Sequence, residues 1–112
     1  MYKLTNGWTK ETMKEAIIKG NNGTKSADLS ETGSICRYRR ADGNKCAVGC
    51  FIQDKDYKPH FELATLPELS AMLGYLPLHP EGLRELQIVH DRTLDSRDPR
   101  PLLCAWIDSN VE

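Results

Sequence analysis

Ile35-Cys36-Arg37-Tyr38-Arg39-Arg40-Ala41-Asp42-Gly43-Asn44-Lys45-Cys46-Ala47-Val48-Gly49-Cys50-Phe51-Ile52 is the stretch on which the expected fold turns. Asp42-Gly43 stands between two runs that read as strands, and Asp-Gly in that setting is a strong short-range hairpin signal. The loop length then decides which side chains share a face. A two-residue loop, Asp42-Gly43, would put Cys46, Val48 and Cys50 beside Arg37 and Arg39. A three-residue loop, Ala41-Asp42-Gly43, gathers Cys36, Tyr38, Cys46, Val48, Cys50 and Ile52 on one side. It leaves Arg37, Arg39 and Lys45 on the other. A slip of one residue would destroy that segregation, so the three-residue loop is the expected register.

Outward from this stretch, punctuation marks four helices. The first runs from about Lys10 to Lys19. Thr9 suits its N-cap, Trp8 and Met13 have the spacing of a hydrophobic staple, and Gly20 is placed to end it. Residues 21–34 are polar apart from Ala27 and Leu29 and read as a surface loop. After a connector at 54–61 that can hold one helical turn, Thr65-Leu66-Pro67-Glu68 is a capping box that opens a helix to Leu73, with Gly74 after it. Leu69, Met72 and Leu73 are its expected inner face. Pro80 opens a helix to about Arg92 with Leu83, Leu86 and His90 on one stripe. Asp98-Pro99 begins the last, to about Asp108, burying Leu103, Trp106 and Ile107.

The expected fold class is therefore α+β. It is one small domain over residues 1–112, with an N-terminal helix, a central β-hairpin at about 35–52 and three short helices. A two-stranded ribbon needs support, so a third strand is expected from residues 2–5 or from a second copy. Monomer and homodimer both remain open.

The chain has 112 residues, one domain's length, and a net charge of −1, which gives no global field for nucleic acid. No apolar run reaches the ~20 residues that span a bilayer, and the first residues lack a signal-peptide core. A cytoplasmic setting is the expectation, and there the four cysteines read as thiols, metal ligands or redox groups rather than disulfides.

Three constellations could carry chemistry. Cys36, Cys46 and Cys50 with His90 or His60 have the ligand types of a Cys₃His zinc site, but the spacing departs from C-x₂-C. The competing use is as small apolar side chains in the core. Cys46 or Cys36 as nucleophile, His90 as base and Asp91 or Asp54 as orienter would make a thiol enzyme. Neighbouring helical residues point ~100° apart, which argues against Asp91 in that role. Arg37, Arg39, Arg40 and Lys45 form a basic cluster that could grip an acidic protein surface, a nucleotide or another phosphate, or could simply be solvated.

Cys36-x-Tyr38-Arg39, Gly43-x-Lys45-Cys46-Ala47-x-Gly49, Ile52-x-Asp54 and Tyr57, with the later Leu86-Gln87-x-x-His90-Asp91, resemble the pattern of a family of small phage- and prophage-associated proteins. The resemblance covers about residues 35–57 and 83–91. It implies a phage-type accessory protein or inhibitor acting on a host protein in the host cytoplasm, and it supplies no reaction. The expected function is non-enzymatic binding through Arg37, Arg39, Arg40 and Lys45, with no cofactor and a protein as partner. A zinc- or thiol-dependent enzyme and a nucleotide or phosphate binder are the alternatives.

Overall fold

A computed structural model describes residues 1–21, 28–30, 33–35, 38, 44–92 and 97–112. Four helices form its frame: α1 (Lys10–Gly20), α2 (Leu66–Leu73), α3 (Pro80–Arg92) and α4 (Arg100–Asn110). Two 3₁₀ turns, Val48–Phe51 and Pro59–Leu63, join the frame between α1 and α2.

The caps explain the helix ends. Thr9 Oγ1 accepts from Thr12 N at 3.1 Å, and Thr12 Oγ1 accepts from Thr9 N at 2.8 Å, so each threonine satisfies the other's backbone. Thr65 and Glu68 do the same at the start of α2. Gly74 ends α2 with φ +70°, a conformation that glycine adopts without steric cost. Gly20 behaves otherwise than expected: it is the last helical residue, and the chain leaves through an extended Asn21. Its lack of a side chain serves packing, because a Cβ there would lie 2.9 Å from Cys50 Sγ.

Helix α4 packs against both α1 and α3, and α2 packs against α3. The core between them takes Met13 and Ile17 from α1, Leu69 from α2, Leu83 and Leu86 from α3, and Leu103 and Ile107 from α4. These are the stripes that the helical spacing marks out. Leu73 and Trp106 are only partly buried, and Met72 departs furthest from the inward stripe, with 49% of its surface exposed. Trp8 turns to Phe51, edge to face at 5.4 Å, and its indole N–H donates to the Tyr75 carbonyl at 2.6 Å.

The expected α+β class with a hairpin at 35–52 is overturned. The run expected as the second strand coils instead into the 3₁₀ turn Val48–Phe51. The physical reason is burial on both parities. Every residue from Cys46 to Ile52 is buried, whereas a strand of a two-stranded ribbon keeps only alternate side chains from water. A continuous apolar run fits a short buried coil as well as it fits a strand. Of the expected first strand, only Ile35 and Tyr38 are described, so the register at Ala41-Asp42-Gly43 lies outside the described residues.

Among the described residues, strand pairing is confined to two three-residue strands and one bridge. β1 (Asp28–Ser30) runs antiparallel to β2 (Gly33–Ile35), inside and just beyond the span expected as a loop. The bridge joins Tyr2 to Val111 in parallel. Tyr2 N donates to the Asn110 carbonyl at 2.8 Å, and Glu112 N donates to the Tyr2 carbonyl at 3.0 Å. Residue 2 thus does pair as a strand would, but with the segment after α4. The Tyr2 ring stacks on Trp106 at 5.8 Å.

Candidate functional site

The middle of the chain carries a buried cluster, centred on residues 44–54, and an open groove beside it. The buried cluster contains most of the described residues among Tyr38, Lys45, Cys46, Ala47, Gly49, Ile52, Asp54, Tyr57, Leu86, Gln87, His90 and Asp91. Gly49 lies against the backbone of Tyr38 so closely that a Cβ would fall 1.8 Å from the Tyr38 carbonyl oxygen. Tyr38 N donates to Glu62 Oε1 at 2.9 Å, and the Tyr57 hydroxyl donates to Glu62 Oε2. Lys45 Nζ stands 3.0 Å from Asp54 Oδ1. Val48 N donates to Gln87 Oε1 at 3.2 Å, Gln87 Nε2 donates to Asp91 Oδ1 at 2.9 Å, and the same oxygen is 3.3 Å from His90 Nδ1. A polar chain therefore links the first 3₁₀ turn to α3. The Asp91 carboxylate does reach His90, contrary to the expectation from helical spacing.

What this cluster can do chemically is limited by its position. Cys46 and His90 are 3% and 2% exposed, and Cys50 is buried with its Sγ 3.9 Å from the Ile17 carbonyl. An attacking thiolate needs access and a positive setting. These thiols and this imidazole are shielded from solvent. Among the described residues no three His, Cys, Asp or Glu side chains are grouped so as to hold a metal ion. Cys36, Arg37, Arg39 and Arg40 lie outside the described residues. Of the expected basic contact set, Lys45 alone is placed, and its ammonium is held by Asp54.

The groove lies beside this cluster. The turn at 54–58, the 3₁₀ turn Pro59–Leu63 and the end of α2 enclose an open volume of about 650 Å³. Phe61, Met72, Leu73 and Tyr75 line it with apolar surface, and Lys55, Lys58, His60 and Asp56 line it with polar groups. The Tyr75 hydroxyl accepts from Gln53 N at 3.0 Å and donates to Asp56 Oδ2 at 2.9 Å. Burial pushes the Tyr75 phenol up, and the Asp56 carboxylate adds to that. Phe61 is held between Tyr57 and His60, both edge to face, at 6.1 Å and 5.0 Å. Lys55 and Lys58 form no ion pair with any described residue.

Asp54-Lys55-Asp56-Tyr57-Lys58-Pro59-His60 reads in sequence as a connector, so the groove is what sequence reasoning missed. One signal was available: two lysines and a histidine within six residues, directly before Phe61. Met72 gave a contrary signal, since its helical position belongs to the inward stripe.

No helix among the described residues is long and apolar enough to cross a membrane. Comparison with protein-family models, with curated proteins and with solved structures finds no match to this chain.

Proposed function

We propose that the chain is a non-enzymatic binding protein, an inhibitor or accessory factor that works by occupying a surface of another protein. The observation that carries this reading is the groove, where Met72 stays half exposed beside the partly buried Leu73 and Tyr75, under a rim of lysines that form no ion pair among the described residues. Apolar surface beside unused charge is the usual make-up of a contact patch, with anchors at the centre and polar groups at the edge. The resemblance to phage-associated proteins points the same way. Arg37, Arg39 and Arg40 add positive charge in the sequence near this surface's own segment, and they remain part of the proposed contact set.

Affinity capture from a host lysate with lysine-reactive cross-linking tests the reading. The expected result is a stoichiometric protein complex with cross-links concentrated at Lys55 and Lys58, weakened when Arg37, Arg39 and Arg40 are replaced by alanine. Failure to form any such complex overturns it. A phosphate ligand is the second reading, because lysines and a histidine also suit phosphate oxygens. Thermal shift with nucleoside triphosphates separates the two. A ligand at 100 times its dissociation constant adds about 2.7 kcal/mol to stability.

A further inference from the structure

We infer that the groove takes a linear acidic segment of the partner protein, anchored by one bulky apolar side chain; this rests on the binding reading above. Shape comes first. The groove holds about 650 Å³ and is open to solvent rather than enclosed. An enclosed small ligand would have most of its surface covered, whereas this site covers one side of its occupant. A peptide segment laid across the surface fits that geometry.

The floor selects the anchor. Phe61 is fixed between two rings, and Tyr75 is fixed at both its hydroxyl and its carbonyl, so the floor is already arranged before binding. Met72 is half exposed, and its unbranched thioether adapts to irregular apolar shapes. A phenylalanine, leucine or tryptophan side chain would cover Met72 and Leu73 and remove them from water.

The rim selects the charge. Among the described lining residues the one carboxylate, Asp56, is already bonded to the Tyr75 hydroxyl at 2.9 Å. Lys55 and Lys58 are left without a counter-charge among the described residues. Carboxylates on either side of the anchor would complement them, and basic segments would be repelled.

Panning a random-peptide display library on the intact chain tests this, followed by fluorescence anisotropy of the enriched peptides. Enrichment of sequences with Asp or Glu around a single bulky apolar residue is expected. Their affinity should fall roughly tenfold or more in Lys55→Glu/Lys58→Glu and should weaken with added salt. Met72→Asp should weaken it as well, and Met72→Leu should restore it, while thermal melting shows each variant folded. Enriched peptides that are neutral or basic, or acidic ones indifferent to all these variants, would overturn the groove assignment and leave the binding reading standing. If no peptide is enriched and nucleoside triphosphate stabilises the wild type but not Lys55→Glu/Lys58→Glu, both fall and the groove is a phosphate site.

Discussion

Residues 44–54 and residues 55–75 are neighbours in sequence and opposites in character. In the first stretch nearly everything is inside, and its placed polar groups are committed: Lys45 to Asp54, the Val48 amide to Gln87, the Asn21 amide to the Lys45 carbonyl at 2.8 Å. In the second, lysines and a methionine stay open around a fixed aromatic floor. Buried polar groups must find partners because an unmade bond costs the full desolvation penalty. Open groups carry no such obligation and are free to meet a partner molecule. The difference teaches that a motif and an open groove need not share residues. The described motif residues, from Lys45 to Asp54 and from Gln87 to Asp91, lie in the packed middle of the fold, and none of them lines the groove.

The contrast breaks most visibly at Gly49. Gly49→Ala drives a methyl group to 1.8 Å from the Tyr38 carbonyl oxygen, so backbone must move. A loss of about 3 kcal/mol or more is expected, read as a lower urea midpoint or failure to fold. Gly74→Ala is the control, with open space around it and only the positive φ to pay for, so about 1 kcal/mol is expected. Next in size is Gln87→Ala, which removes the acceptor of the Val48 amide. Equilibrium unfolding should show a loss of about 1–2 kcal/mol.

Smaller still, and on the groove side, Lys55→Ala and Lys58→Ala should each change stability by less than about 0.5 kcal/mol, since neither lysine forms an ion pair among the described residues. A large loss from either would mean that the groove is structural, and the two regions would no longer differ in kind. The smallest effect expected is with pH. The Arg100 guanidinium beside Asp98 and the Lys14 ammonium beside Asp108 hold those carboxyls below the usual range, and the Thr65 backbone does the same for Glu68. Their folded pKa values lie below the unfolded ones. The stability they contribute is present above the ordinary carboxylate pKa of about 4 and fades as pH falls through the lowered values. Melting temperature should therefore decline gently in acid, and less so in Asp108→Asn. None of these groups belongs to the cluster or the groove, so groove variants should follow the same profile.

Much of the helical frame was legible because its signals are local. Thr65, Glu68 and Gly74 mark α2, and Pro80 with the Leu83, Leu86, His90 stripe marks α3, each within a few residues of the element it defines. The middle segment was not legible, because what decides it is remote. Nothing near Gly49 in sequence announces that the Tyr38 carbonyl will press on it, and Asp42-Gly43 offered a hairpin in its place. Alternation in Cys46, Val48, Cys50 and Ile52 looked like one face of a strand only while Ala47 and Gly49 counted as exposed. Of the candidate site, the arginine cluster was legible as charge alone. The groove escaped because its lysines, its aromatic floor and Met72 come from three elements that only the fold brings together.

The parallel pairing of Tyr2 with Val111 carries a consequence for engineering. Adjacent strands lie about 4.8 Å apart, so a linker of only a few residues should join Glu112 to Met1. A link of this kind would restrict the chain mainly when unfolded, where residues 1 and 112 otherwise separate. New ends could then be opened elsewhere, and the order of the four helices along the backbone would become a choice rather than a given.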